Sequence, residues 1–454
     1  MSHSSPHNLL GPTENSSQII QLPKHPKIKP IIHQHSTENS LDEQNLQRKL
    51  KLYSKTSKAI KSIQGNYKPS SAKYIRGFSK FLKAQYSLSK LDYKLPNRPI
   101  FESTYLFSKL RGLSSLTSLQ LQFLGIYPLN ISLKVLLNSL TSLKNLARFQ
   151  ISFHSFSFNK KILQKLSASL QRLKKMKHLS LCFAGISKLK EPDFQNILFD
   201  LSRLIHLRSL QLNFQEFMGF LKSLALVVSK FEKLTRTKLT FSKDMLIQSQ
   251  DLHQLFLSFR NLKELSDISL NLKVCKILNK TNIEPLSQGL NTLEASQIKQ
   301  LQLFFSKDLD DQGFLQISQA LKRFPNLTLV DFRLFENAWI SSQRISELGS
   351  VLKDLASLSS LSLFIPFISK EAFDMGSLIK SLDNLTDLKL HLTGNHATGD
   401  RPIQQLASGL KTLKALRCLR IQFSKQNSIS EKAFDAIAEG LKELICLRKL
   451  EIRF

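Results

Sequence analysis

The sequence predicts an α/β solenoid in which about twelve helix–strand repeats build a parallel inner sheet with helices on its outer side. The first observation is a spacing rule: apolar residues follow one another at intervals of three and then at intervals of two. Intervals of three suit one side of a helix and the turn after it, whereas intervals of two suit one face of a strand. The last copy of this frame comprises Leu441, Leu444, Leu447, Leu450, Ile452 and Phe454.

The second observation is that the frame recurs in phase along most of the chain. Between positions 123 and 454, a distance of 331 residues is divided into eleven steps, which gives a mean period of about 30 residues. Such a period is typical of solenoid repeats. The earlier copies end at Phe123, Phe153, Phe183, Phe214, Phe241, Leu272, Phe305, Leu334, Ile365, Leu392 and Phe423.

Each repeat is expected to place its helix before its strand, as in residues 192–204, 343–355 and 431–444. A helix and a short strand with one apolar face each cannot bury those faces alone, so every repeat needs a copy on either side. Because helices are wider than strands, the stack should curve, with the sheet on its concave side. Small residues recur near the ends of the helices, where neighbouring helices could then approach closely, at Gly289, Gly409 and Gly440.

Two repeats depart from the frame. Thr237 stands where a leucine is expected, and two extra residues separate Leu293 from Ile298. Both are counted among the twelve copies that recur in phase.

The repeated core Leu447-x-x-Leu450-x-Ile452, with a helix between successive strands, resembles leucine-rich repeats. The helical subclass, similar to ribonuclease inhibitor, fits best and covers residues 100–454. In that family Asn or Cys usually follows the strand, whereas here the frame ends in Phe or another apolar residue, as at Phe123 and Phe153. We therefore expect longer strands and a stacked aromatic spine at that corner.

The chain before the repeats divides into two parts. Residues 1–45 are rich in polar residues and predict a disordered tail. Residues 46–99 are strongly basic and contain a degenerate capping repeat whose frame ends at Leu95, about one period before Phe123. This segment is either a solvated cap and linker or a surface that holds phosphates. Its candidate basic residues are Arg48, Lys49, Lys51, Lys73, Arg76, Lys80 and Lys83.

The composition indicates the compartment and the kind of partner. A net charge of +31 predicts attraction to nucleic acid, anionic membranes or acidic proteins. The sequence has no apolar run long enough for a transmembrane helix and no signal or transit pattern at its N-terminus, and its four cysteines form no CxxC pair. We expect a reducing compartment, cytoplasmic or nuclear.

The residues between the strand leucines should point onto the concave face. In the early repeats they are neutral and polar, as at Gln120 and Gln150, and acids occur midway at Asp267, Asp331 and Asp387. Aromatic residues occur on this face at Phe304 and Phe364. The last two repeats are basic and predict either a patch that binds carboxylates or phosphates or a solvated set of charges, at Arg417, Arg420, Arg448, Lys449 and Arg453, with Glu451 opposing.

The sequence contains no motif for catalysis. Phosphate-cradling, dinucleotide, zinc-protease, nucleophile-elbow and kinase patterns are all absent, and the histidines of the repeats are single. His33 and His35 in the tail make a weak metal motif, so neither a metal nor another cofactor is expected.

Two hypotheses follow. In the first, the chain is a non-enzymatic scaffold whose concave face binds an acidic protein. In the second, it is associated with nucleic acid, which the basic N-terminal segment and the lysine-rich surface hold by phosphate contacts. The last strand has no polar segment after it, which leaves self-association through its edge as a further expectation.

Overall fold

The structure is a computed structural model that describes residues 62–66, 79–80, 82, 87–95, 101–123, 130–153, 160–183, 191–214, 220–241, 249–273, 284–305, 309–334, 340–366, 375–393, 400–423 and 430–453. The predicted tail 1–45, Phe454 and all the candidate N-terminal basic residues except Lys80 lie outside this part of the chain.

One parallel sheet runs through the described repeats. Its fourteen strands lie side by side in the order in which they occur along the chain. The strands are β1 (Ser62–Asn66), β2 (Lys90–Leu95), β3 (Ser118–Phe123), β4 (Arg148–Phe153), β5 (His178–Phe183), β6 (Ser209–Phe214), β7 (Arg236–Phe241), β8 (Asp267–Asn271), β9 (Gln300–Phe305), β10 (Leu329–Leu334), β11 (Ser360–Pro366), β12 (Asp387–Thr393), β13 (Cys418–Phe423) and β14 (Lys449–Arg453).

A helix precedes each strand from β3 onward, which confirms the predicted alternation. A 3-10 segment (Leu110–Gly112) extends the first helix. The helices are α1 (Phe101–Lys109), α2 (Asn130–Leu140), α3 (Lys160–Gln171), α4 (Glu191–Leu201), α5 (Phe220–Val228), α6 (Ser249–Phe259), α7 (Glu284–Asn291), α8 (Asp311–Leu321), α9 (Ser342–Lys353), α10 (Met375–Ile379), α11 (Asp400–Leu410) and α12 (Glu431–Lys442).

The apolar frame forms one continuous core between the sheet and the helices. In the repeat that ends in β13, Leu410, Leu416, Leu419 and Ile421 are all at most 1% exposed. The predicted aromatic spine is confirmed where its rings are described. The ring centroids of Phe123 and Phe153 are 4.7 Å apart and nearly parallel. Phe183 continues the stack at 5.9 Å from Phe153.

The glycines allow the close helix contacts that their positions predicted. A Cβ atom added to Gly409 would lie 2.6 Å from the carbonyl oxygen of Gly376 and 2.7 Å from Ile379 Cγ1. A Cβ atom on Gly289 would lie 2.8 Å from Phe256 Cβ. Since real Cβ atoms do not approach other atoms so closely, any larger residue at these positions would push adjacent helices apart.

Backbone hydrogen bonds set the register where each strand begins. In the repeat that ends in β13, the N–H groups of Arg417 and Cys418 both donate to the carbonyl oxygen of Thr386 in the preceding repeat, at 2.8 and 3.0 Å. The same pair of bonds recurs at successive repeats. Asn384 adds a side-chain link, because its amide nitrogen donates to the carbonyl oxygen of Ala356 at 3.0 Å. Equivalent residues of neighbouring repeats therefore lie side by side.

The two irregular repeats keep their places. Thr237 is fully buried at the leucine position of β7. Its hydroxyl oxygen has no hydrogen-bond partner among the described residues. Around the insertion before β9, residues 295–297 form a turn, and Leu293 and Ile298 are both buried. The extra residues are thus absorbed before the strand begins.

The N-terminal end of the sheet contains a strand that the sequence did not predict. β2 has buried side chains at Leu91, Tyr93 and Leu95, as the degenerate repeat requires. β1 then pairs with β2 in parallel, with Ile63 opposite Leu91. The sequence of β1, SIQGN, contains a single large apolar residue and shows no frame.

Candidate binding face on the sheet

Side chains that alternate with the buried leucines form the open face of the sheet, which is defined here as the side opposite the helices. Because neighbouring strands pair without a register shift, these side chains line up in rows across the strands. Parallel strands are spaced about 4.8 Å apart, so residues in one row are close enough to contact each other. Two groups of predicted residues lie on this face.

The first group is a row of four side chains on adjacent strands, called here the aromatic row: Phe304, Arg333, Phe364 and His391. Phe304 of β9 is paired with Arg333 of β10, which is paired with Phe364 of β11. Phe364 in turn is paired with His391 of β12. The sequence predicted the two phenylalanines at this face but not the residues between and beside them.

Arg333 is held in place from two sides. Its guanidinium carbon lies 4.7 Å from the centroid of the Phe304 ring, within the range of a cation–π contact. Its Nε and Nη2 atoms donate to the two carboxylate oxygens of Asp331, each at 2.8 Å. Asp331 is buried, whereas 36% of the Arg333 side chain is exposed. The arginine is therefore fixed in a single orientation while part of it still faces solvent.

His391 completes the row beside Phe364. The two ring centroids are 5.4 Å apart with an interplanar angle of 30°. Partial burial lowers the pKa of His391, and the positive charges of Arg333, Arg453 and Lys389 lower it further, while Asp331 opposes them. The lowered pKa favours the neutral imidazole, so the charge on the aromatic row comes mainly from Arg333, which Asp331 offsets.

The second group is the predicted basic patch on the last two strands. Arg417 and Arg448 precede β13 and β14 and are adjacent, because the N–H of Arg448 donates to the carbonyl oxygen of Arg417 at 2.8 Å. Both are exposed, as is Lys449. The structure therefore brings the five predicted residues together at one end of the described sheet.

The single carboxylate of Glu451 pairs with two of the five basic residues of this patch. Its carboxylate lies between two arginines, 3.4 Å from Arg420 Nε and 2.5 Å from Arg453 Nη2. Within the described part of the chain, no carboxylate forms an ion pair with Arg417, Arg448 or Lys449. These three residues are therefore the part of the patch that is available to an anion.

The early part of the open face differs from the prediction of a neutral, polar surface. Gln120 and Gln150 do lie there. However, the first positions of β4, β5 and β7 are Arg148, His178 and Arg236, in the same row as Ser118. These three residues were not predicted on this face. Alternation does place them there, because the first residue of each strand points to the same side as the third.

The other predicted sites add nothing to this face. Lys80 is exposed, and the rest of the candidate N-terminal basic residues lie outside the described residues. No group of three or more His, Cys, Asp and Glu side chains in the described ranges is arranged to hold a metal ion. No helix among the described residues is long and apolar enough to cross a membrane. Cys182, Cys418 and Cys446 are free thiols.

Comparisons with known proteins bear on the fold. No protein-family model and no curated protein matches the sequence. Among solved structures, the chain is similar to a chain of the Rad7–Elc1 complex from yeast, with a TM-score of 0.49 and 15% identity over 86% of this chain and 91% of that chain. It is also similar to a chain of the TLR13–ssRNA13 complex, with a TM-score of 0.29 and 14% identity over 84% of this chain and 55% of that chain.

Similarities of this size carry no inference about function, and the fold assignment rests on the chain itself. Its strands are parallel and lie in sequence order. A helix separates successive strands from β2 onward, and the apolar frame is buried in the described repeats up to β13 and partly buried in the last one, at Leu447, Leu450 and Ile452. The chain therefore has the fold of a leucine-rich repeat solenoid, an α/β stack with its sheet on one side and its helices on the other.

Proposed function

We propose that this protein is a non-enzymatic scaffold that binds an acidic protein on the open face of its sheet. The observation that carries the proposal is the aromatic row beside the basic patch. Phe304 and Phe364 are only partly buried on a sheet face that is otherwise polar. Aromatic and arginine side chains at the centre of an interface commonly supply most of its binding energy.

The rigidity of the row favours binding. Because Asp331 and Phe304 already hold Arg333, little side-chain entropy is lost when a partner covers it. The strands themselves are fixed by their neighbours on both sides. A partner would thus meet a preformed surface rather than one that must be ordered first.

The basic patch favours an acidic partner. Arg417, Arg448 and Lys449 are exposed and lie within two strands of His391, the last residue of the aromatic row. Arginine forks suit carboxylates, and charges at the edge of an interface raise the association rate and select the sign of the partner. We propose that the partner's carboxylates face the patch while its apolar side chains cover Phe304 and Phe364.

A pull-down from native lysate, treated with nuclease, tests this function at about 150 mM and 500 mM salt. The baits are the wild-type chain, a patch variant (Arg417→Ser, Arg448→Ser, Lys449→Ser) and a row variant (Phe304→Ser, Phe364→Ser). A control bait carries Lys353→Ser, Lys380→Ser and Lys411→Ser, which removes three exposed charges elsewhere in the same repeats. The patch variant keeps the Arg420–Glu451–Arg453 network intact.

We expect the wild-type and control baits to retain one discrete acidic protein after nuclease treatment and at the higher salt concentration. The row variant should lose it at both salt concentrations, and the patch variant should lose it at least at the higher one. Equal binding by all four baits would refute the proposal. The nucleic-acid alternative based on residues 48–83 stays a prediction, since only Lys80 of its candidate residues is described.

A further inference from the structure

The turns that precede β4 to β7, taken with the first residue of each strand, are far more basic than the chain average. Residues 141–148, 172–178, 202–209 and 229–236 contain eleven lysines and arginines but only one acid, Glu232, in 31 residues; the whole chain has 65 such cations in 454 residues. The eleven are Lys144, Arg148, Arg172, Lys174, Lys175, Lys177, Arg203, Arg208, Lys230, Lys233 and Arg236, and all are exposed. We call this set the basic turn edge.

Neither composition nor helix capping explains the basic turn edge. The next four turns, residues 260–267, 292–300, 322–329 and 354–360, contain five cations and four acids. Cations after a helix C-terminus are stabilised by the helix dipole. Helices α6 to α9 have a helix dipole as α2 to α5 do, however, and the turns that follow them lack the excess of cations. Between residues 141 and 360, the charge is thus concentrated in the four turns that precede β4 to β7.

The fold brings these cations together on one edge. Arg148 is paired with His178, and His178 with Ser209, which is paired with Arg236. Adjacent strands are spaced about 4.8 Å apart and adjacent helices about 8–10 Å, so the edge extends about 14 Å along the sheet and up to about 30 Å along the helices. That length suits several consecutive phosphates of a nucleic-acid backbone.

The positive field also acts on a neighbouring side chain. Burial lowers the pKa of His178, and the charges of Arg148, Arg236, Lys177 and Arg208 lower it further. These four cations come from four consecutive turns. A single carboxylate, Asp267, forms an ion pair with the edge among the described residues, through Arg236 at 2.7 Å.

Exposed apolar side chains lie beside the cations. Phe199 on α4 is 50% exposed, and Ile205 in the turn that follows is 60% exposed. The Lys230 ammonium lies 4.4 Å from the centroid of the Phe199 ring, and the Arg203 guanidinium carbon lies at 6.0 Å. An exposed ring among phosphate-binding cations offers a surface on which a base can stack.

We propose that the basic turn edge binds the phosphate backbone of a nucleic acid without regard to sequence. Nearly unmixed charge and an exposed ring favour nucleic acid over an acidic protein, whose surface carries charges of both signs. Lysines and arginines of the edge contact phosphates, and Phe199 stacks on a base. The site differs from the basic patch, which lies on β13, β14 and the residues just before them, and this proposal does not depend on the proposed function.

The test uses the full-length chain and a fluorescein-labelled single-stranded RNA of 20 nucleotides, with anisotropy measured from 50 to 300 mM KCl. The edge variant carries Lys144→Gln, Lys174→Gln, Lys177→Gln and Arg208→Gln. The control variant carries Lys134→Gln, Lys161→Gln, Lys165→Gln and Lys222→Gln, which lie on the exposed surfaces of α2, α3 and α5. Both variants have the same net charge and alter the same part of the solenoid.

Each phosphate contact contributes about 0.7 to the slope of log K against log salt for single strands. Four lost contacts therefore lower the slope of the edge variant by about 2.8, and its Kd at 100 mM KCl rises about tenfold or more. The control variant should stay close to the wild type. Equal losses in both variants, or no loss in either, would overturn the proposal. So would displacement of the RNA by poly-glutamate at the same charge concentration, because the edge would then accept any polyanion.

Discussion

Replacing Thr237 by valine should stabilise the solenoid, although it changes the core. Thr237 is 0% exposed and stands in β7 at a position that carries Leu, Ile or Phe in most repeats. Its hydroxyl has no hydrogen-bond partner among the described residues. Valine has nearly the same shape, so the exchange removes a buried polar atom and leaves no cavity.

The expected gain is about 1–2 kcal/mol in the free energy of unfolding, because a buried, unpaired hydroxyl costs about 1–3 kcal/mol and the added methyl group contributes about 0.8 kcal/mol or less. Urea denaturation followed by circular dichroism measures it as a higher midpoint with an unchanged slope.

Thr240→Val is the matched control. Thr240 lies on the open face three residues later and is only half-buried, so its replacement should change stability by less than about 0.5 kcal/mol. A lower or unchanged midpoint for Thr237→Val would mean that the hydroxyl is satisfied, which would refute the reasoning.

Three further predictions concern packing and protonation. Gly409→Ala should destabilise the protein by about 1–3 kcal/mol, whereas Gly112→Ala should not, since no atom lies within 4 Å of a Cβ atom there; thermal unfolding distinguishes them. Phe153→Ala, which removes the middle ring of the stack, should cost about 3–5 kcal/mol in urea denaturation, and a cost below about 1 kcal/mol would contradict the packing role of the spine. The lowered pKa of His391 means that the unfolded chain binds the proton more readily, so stability should fall as pH drops below about 6.5. His391→Gln should weaken that dependence in melting curves recorded from pH 5 to 7.5, and an unchanged pH dependence would argue against it.

The repeats and their phase could be predicted from the sequence, because the same positions of every repeat face the core and must therefore be apolar. The intervals of three and two identify the helix, the turn and the strand, and side-chain alternation then decides which residues face the core. Phe304 and Phe364 could be placed on the open face for this reason. Glycines at one helix position likewise predicted close helix contacts that the structure shows at Gly289 and Gly409.

β1 could not be predicted from its own residues, although its backbone pairs with β2 in parallel. Its only large apolar residue, Ile63, cannot define a frame. A strand at the margin of a sheet gains backbone hydrogen bonds from its neighbour whatever its side chains are. These backbone hydrogen bonds cannot be predicted from the side chains of the strand itself.

Contacts between strands were also beyond the sequence. Arg333 is unremarkable until its register beside Phe304 and its bond to Asp331 are known. The double pairing of Glu451 with Arg420 and Arg453 likewise depends on side-chain geometry. Such contacts join residues from repeats about 30 positions apart or depend on rotamers, which spacing alone does not determine.

Site-specific photo-crosslinking tests the proposed binding face most directly. A benzophenone amino acid replaces Phe364 in one sample and Ile131, which is 67% exposed on α2, in the other. Both samples are irradiated in native lysate after nuclease treatment. The binding-face proposal predicts one discrete adduct with an acidic protein at position 364 and none at position 131. Adducts at position 131 alone, or identical patterns at both positions, would contradict it.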